Sequence, residues 1–276
     1  MRRKTLWLVL LLILSTQASR AATLECKEVP GIDPLLKKGQ ILLLGEMHGT
    51  TEVPAFVSTA ACRGLRAGHS VTVGLEIWTD EAARIAISLA SGGKPEDRAA
   101  LLAGPFWRDV YQDGRRSQGM FALIEDVRRL RKEGRKVQVK VFDRLPKAPG
   151  AERDRAMAEE LLSAIEASPE DLFLVLAGNL HTRTARGTPW DPNLENMGYL
   201  VAQRRPTVVA LDNSYSGGTL WMCPSADPAD CGPRPLRGKG EGQPLGVKLY
   251  EKASPTGYHG EFHVGALTAS PPAINP

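Results

Sequence analysis

Glu46 and His48 stand two residues apart at the end of the run Ile41-Leu-Leu-Leu-Gly-Glu-Met-His-Gly-Thr50. A carboxylate beside an imidazole suits two chemistries. The histidine can act as a general base toward water, or the pair can join other donors around a divalent metal that acidifies its bound water. Similar residues recur at the ends of other apolar runs. Glu76 follows Val71-Thr-Val-Gly-Leu, Asp143 closes a run from Val137, Gly178-Asn-Leu-His181 follows a run from Leu172, and Asp212-Asn213 follows one from Thr207. An unpaired carboxylate inside an apolar run is costly, so Glu76 reads as paired or functional. His48 and His181 each stand three residues after a glycine at such an exit, and as a pair they read as functional rather than as ordinary turn histidines.

Residues so far apart need elements that gather them. Apolar runs at 41–46, 71–77, 137–143, 172–177 and 207–212 read as strands. Between them, 51–67 reads as a helix with Pro54 in its first turn and Gly68 as its stop. Met120, Leu123, Ile124, Val127 and Leu130 fall at helical spacing before Gly134, and 153–167 supplies a third helix. The alternation predicts an α/β fold: a mostly parallel central sheet flanked by helices, with right-handed crossovers. A helical insertion is expected over 78–119, and a loop-rich C-terminal part over 223–246 with a last edge strand within 258–267. One domain is expected over 22–268, with 269–276 a flexible tail. In such a sheet, ligands bind beyond the carboxyl ends of the strands, so the polar exits should face one pocket.

Plainer readings stand beside these. Asp143 and Asp212 serve equally well as helix caps. In Asp113-Gly-Arg-Arg-Ser117, Arg115 and Arg116 suit an anionic group or the pocket carboxylates, or else a solvated turn capped by Ser117. Trp78, Phe106, Trp107 and Tyr111 read as core or lid packing before pocket lining. His69 reads as a surface residue, and His259 and His263 would share a face of the last strand. The chain has no Gly-x-Ser-x-Gly elbow after a strand, which disfavours a serine hydrolase of that kind.

The first residues bear on compartment. A basic start, an apolar stretch from Leu6 to Leu14 and small residues at Ser19-Arg-Ala21 predict a cleaved signal peptide over 1–21. The stretch is short for a bilayer span, and Glu25 before Cys26 disfavours a lipoprotein. Arg2, Arg3, Lys4 and Arg20 account for the whole formal charge of +4, so the mature chain is near neutral and lacks the electrostatic case for nucleic acid. The expected product is exported, periplasmic or secreted, with no integral membrane segment. Four cysteines in an oxidising compartment predict disulfides, and three pairings are possible. The local Cys223–Cys231 pair, leaving Cys26 with Cys62, is the favoured one.

The motifs also carry a family likeness. Gly45-Glu-Met-His48 together with Gly178-Asn-Leu-His181 resembles the signature of the TIKI-type metalloproteases. Gly45-Glu-Met-His-Gly49 with Glu52, and Leu75-Glu76 at the next strand, is similar to the erythromycin esterase family. Arg153-Asp-Arg-Ala-Met157, Leu176-Ala-Gly-Asn-Leu-His181 and Gly187-Thr-Pro189 resemble the ChaN-like haem-binding proteins. The protease likeness implies His48 and His181 as ligands of a divalent metal (Mn, Co or Zn, not distinguished), with Glu46 a further ligand or an acid–base group and Glu76 a partner of the metal or of the base. The esterase likeness implies His48 as the base that activates water, with Glu76 its partner and Asn179 orienting substrate or water. The expectation is an exported hydrolase, metal-assisted, that cuts an ester or amide bond of a small molecule or peptide. The alternative is a haem-binding or uptake protein without catalysis.

Overall fold

The computed structural model describes residues 24–274; the signal-peptide reading of 1–21 lies outside them. Five strands arrive in the expected places: β1 (Ile41–Glu46), β2 (Val71–Trp78), β3 (Val137–Asp143), β4 (Leu172–Gly178) and β5 (Val209–Ser214). They are followed by β6 (Gly218–Met222), β7 (Gly232–Leu236), β8 (Gly246–Leu249) and β9 (Gly260–His263). Seven of them form one sheet in the order β3-β2-β4-β1-β5-β9-β8, parallel throughout except for β8.

β1 is buried along its whole length. Its side chains alternate between two cores, Leu42 and Leu44 on one face, Ile41 and Leu43 on the other. Both faces are covered, which is why the run shows no polar alternation. α1 (Glu52–Arg66), α2 (Ala82–Ala90), α3 (Pro95–Leu102) and α4 (Gln118–Lys132) put Phe56, Ile85, Leu101 and Ile124 into the first core. α5 (Gly150–Ala167) and α6 (Met197–Arg204) put Met157, Leu161 and Val201 into the second. The helical insertion is therefore α2 and α3, lying on the α1 side.

Four expectations need correction. β5 starts and ends two residues later than the apolar run suggested, so Asp212 lies inside the strand. Residues 223–246 are not all loop, since β7 pairs antiparallel with β6 in a small second sheet. Pro233 and Pro235 hid that strand, because proline is compatible with an edge, and a two-stranded sheet consists of edges. Within 258–267 only β9 is extended, and it lies inside the sheet between β5 and β8. Residues 269–274, read as a loose tail, are fastened. Gln118 donates to the Pro271 carbonyl and Ala273 to that of Arg116, both at 2.8 Å, while Ala273 is buried and Ile274 packs against the core.

Both favoured disulfides, Cys26–Cys62 and Cys223–Cys231, are present. Among the described residues no helix is long and apolar enough to cross a membrane.

Candidate active site

From β1 the chain crosses through α1 toward β2, and from β4 it crosses through α6 toward β5 on the other side. The crossovers diverge at the central β4–β1 pair, so a crevice opens beyond its carboxyl ends. Register sets what faces it. Glu46 pairs with Gly178, and the Asn179 amide donates to the Glu46 carbonyl at 2.8 Å. The exits of β1 and β4, which carry His48 and His181, thus lie side by side.

Glu46, His48, Glu76 and His181 converge there. His48 Nδ1 meets Glu46 Oε1 at 2.9 Å, and its Nε2 lies 3.6 Å from Glu76 Oε2. Glu76 Oε2 also accepts from the Gly178 amide at 2.8 Å. A Cβ on Gly178 would stand 3.1 Å from His48 Nε2 and 3.5 Å from His181 Cδ2, so only a glycine leaves the space between the two rings open. His48 and His181 are about one-fifth exposed, whereas Glu46 and Glu76 are buried. Glu76 sits where the β2–β3 register shifts between Leu75 and Trp78, the kind of irregularity that re-aims a side chain near a site.

Two arginines complete the cluster. Arg153, in the first turn of α5, donates to Glu76 Oε1 at 2.6 Å and to Asp143 Oδ2 at 2.8 Å. Arg115 reaches the same two carboxylates at 3.1 and 3.3 Å, and Asp113 holds it from behind at 2.6 Å. Of the two open readings, Arg115 therefore meets the pocket carboxylates. Arg116 instead turns inward, over the rings of Phe106 and Trp78. Asp143 is wholly buried and is a partner for these arginines. Asp212 pairs with Lys239. Phe106 and Trp107 are buried core, and Tyr111 donates to the Ser225 carbonyl, as the packing reading expects. Asn179 lies beside the crevice, half-buried, with no side-chain hydrogen bond among the described residues.

The two histidines are held differently. Facing a carboxylate, His48 Nδ1 carries the proton, and Nε2 is left toward Glu76 without a hydrogen bond among the described residues. His181 Nδ1 donates to Asp154 Oδ1 at 2.8 Å, and its Nε2 receives Arg153 Nη1 at 3.1 Å. Asp154, itself buried, also accepts from the Met197 amide. Both His181 nitrogens are thus committed to partners. Burial pulls the His48 pKa down, but the neighbouring charge of Glu76 and the hydrogen bond and charge of Glu46 more than offset it, so the net shift is upward. Burial pushes Glu76 up, yet His48, His181, Arg153 and Arg115 hold its carboxyl well below the usual carboxylate range.

The donor set does not fit the metal that the sequence suggested for His48, His181, Glu46 and Glu76. Glu76 and Asp143 already face two permanent cations, His181 Nε2 faces a guanidinium, and a dication would be placed against Arg115 and Arg153. Among the described residues no three His, Cys, Asp or Glu side chains are grouped to hold a metal ion. A haem fits no better, because the groups around both imidazoles are charged rather than apolar.

Sequence reasoning gave no role to Arg153 and Asp154. They begin the Arg-Asp-Arg-Ala-Met stretch, but at a helix start an Arg-Asp pair looks like solvated charge. Only the packing of α5 against β3 and α6 turns both inward.

The class defined here is an α/β protein with a His–carboxylate–arginine cluster at the switch point of a parallel sheet. No protein-family model matches the chain, and no curated protein matches it by sequence. Solved structures do. A Bacillus cereus protein shares its fold with a TM-score of 0.60 at 12% identity, over 88% of this chain and 92% of that one. A succinoglycan biosynthesis protein gives 0.59 at 11%, over 87% and 91%. A histidine-to-asparagine mutant of erythromycin esterase EreC, in its open conformation, gives 0.55 at 14%, over 74% and 78%. The erythromycin esterase likeness read from the motifs thus extends to the fold.

Proposed function

We propose that the protein is an exported hydrolase in which His48, without a metal, takes the proton from a water that attacks an ester or amide carbonyl of a small molecule or peptide. The observation that carries this reading is the commitment of the two imidazoles. His181 has both nitrogens engaged, whereas His48 is oriented through Nδ1 and its Nε2, 3.6 Å from Glu76, makes no hydrogen bond among the described residues. Glu46 sets the tautomer and, with Glu76, supports the basicity a proton acceptor needs. Arg115 and Arg153 supply fixed positive charge beside the place where a carbonyl oxygen would become negative. Asn179 stands ready to orient carbonyl or water. The disulfides suit an oxidising compartment.

A panel of carboxylic esters and short peptides, assayed with and without chelator, tests the proposal. Hydrolysis that survives chelation and disappears in His48→Ala is expected. Hydrolysis that chelation abolishes and Zn, Mn or Co restores would overturn the metal-free mechanism. Turnover undiminished in His48→Ala would remove the base.

A further inference from the structure

A second nucleophilic arrangement lies on the same edge of the sheet, away from the charged cluster. Parallel pairing of β5 with β9 sets Ser214 directly opposite His263. In an extended chain, residues two apart share a face, and Ser216, two beyond Ser214, comes to the other side of the same imidazole. Ser214 Oγ lies 3.1 Å from His263 Nδ1, and Ser216 Oγ lies 3.1 Å from His263 Nε2. His263 and Ser214 are buried, and Ser216 is exposed.

The bond directions follow from the acceptors around Ser214. Ser214 has a single hydroxyl proton, and the acceptors beside it are the Lys239 carbonyl at 2.7 Å and, more distant, Gln243 Oε1 at 3.2 Å; the proton goes to the nearer carbonyl. Ser214 therefore accepts from His263 Nδ1–H. That leaves the Nε2 lone pair for the Ser216 hydroxyl, so the chain runs Ser216 O–H to Nε2, then Nδ1–H to Ser214, then O–H to Lys239. This is the connectivity of an activated serine: a nucleophile, a base and a third group that orients the base.

The backbone adds two features. Ser216 stands at the turn from β5 to β6, and Gly217 and Gly218 after it have φ of +104° and +119°, values that other residues rarely adopt. The two glycines let the chain turn directly after the serine, whose residue is exposed while its hydroxyl meets the buried imidazole. Among the described residues the Gly217 N–H donates to no other group, and the amide following a nucleophile is where an oxyanion donor is needed. Beside it, the Ser216 amide donates to the Gly265 carbonyl at 2.9 Å, and Leu245, 60% exposed, lies over Gly265. An exposed apolar side chain therefore stands over the residue to which the Ser216 backbone is bonded.

We propose that Ser216, His263 and Ser214 form a serine-hydrolase centre, separate from His48, that accepts carboxylic esters with a small apolar acyl group. Ser216 Oγ bonds to the carbonyl carbon while its proton passes to His263 Nε2. The C–O bond to the alcohol breaks, and the alcohol leaves with that proton. Water then attacks the acyl-serine, giving its proton to Nε2, and the carboxylic acid departs as Ser216 recovers its hydrogen. Burial lowers the His263 pKa, with Glu261 opposing, which keeps the ring neutral and able to accept.

The test treats the purified full chain with a fluorophosphonate probe and locates the adduct by peptide mass spectrometry. The expected result is a single adduct on Ser216, absent in Ser216→Ala and formed about 100-fold more slowly in His263→Gln. Ser214→Ala, which leaves the imidazole in place, should slow labelling less, and it substitutes for His263→Gln should that protein fail to fold. Absence of any Ser216 adduct in the wild type, or labelling as fast in His263→Gln and Ser214→Ala, would overturn the proposal. The readout is the mass of Ser216 itself, so it does not depend on whether His48 activates water.

Discussion

His48 sits between two carboxylates, whereas His263 sits between two hydroxyls. His48 follows β1 and His263 closes β9, at the same end of one sheet, yet their pKa values move in opposite directions. Near His48, Glu46 and Glu76 supply charge that outweighs burial, because opposite charge within a few ångströms favours the protonated form. Near His263, hydroxyl partners supply direction without charge, and burial prevails. The difference teaches that the place in the fold supplies a histidine at a strand end, while its immediate neighbours decide what kind of base it is.

The largest expected effect breaks the comparison at its charged side. His48→Ala should reduce kcat/KM on any substrate of that site by about 10³-fold, roughly 4 kcal/mol, with urea stability changed by less than about 1 kcal/mol. A loss of turnover explained wholly by unfolding would leave His48 with a structural role only.

Next comes the scaffold of the charged side. Arg153→Ala leaves Arg115 as the one remaining arginine on the buried Glu76 and Asp143, and removing one partner of a buried ion pair costs about 3 kcal/mol. Equilibrium unfolding in urea measures it. A change within 0.5 kcal/mol, taken as about the scatter of surface substitutions, would show that the carboxylates find water instead.

A smaller effect sharpens the contrast through pH. Activity at the His48 site should rise with pH through an apparent pKa above the ordinary histidine value of about 6.5, because the base must first lose its proton. Glu46→Gln should move that limb to lower pH. Stability runs the other way for the same group. His48, whose folded pKa is raised, contributes fully below its unfolded pKa, and its contribution fades as pH climbs through the folded value. Glu76, whose folded pKa is depressed, contributes above its unfolded value and loses that contribution as pH falls toward the folded one. A pH–rate limb that Glu46→Gln leaves in place would break the assigned pairing.

The smallest effect belongs to Asn179. With no bond to hold its amide, Asn179→Ala should raise KM several-fold, about 1 kcal/mol, and leave unfolding unchanged. Steady-state kinetics separates this from a loss in kcat alone, which would place the amide on the transition state instead.

Much of the fold was legible because each parallel strand is buried on both faces, and such a strand must be a continuous apolar run. The ranges of β1 and β3 matched to the residue. Reading failed where the apolar rule does not apply. β7 carries two prolines, β5 runs on past Asp212 into Asn213 and Ser214, and the 269–274 segment is ordered by backbone bonds that leave no pattern in side-chain type. Within the candidate site, the buried carboxylate Glu76 and the two histidine exits were visible as chemistry out of place. Arg153, Asp154 and Ser216 were not, since an arginine in a helix start or a serine before two glycines is common in solvated turns.

The sequence by itself determined the alternating architecture, the polar exits of the strands and the favoured cysteine pairs, because hydrophobic period and spacing are local properties. Only the tertiary structure decided which histidine is committed and which carries an open nitrogen. That depends on Arg153 meeting His181 across 28 positions of chain and Glu76 meeting His48 from another strand. Hydrogen-bond direction and pKa depend on distances of a few ångströms between residues that no local pattern brings together.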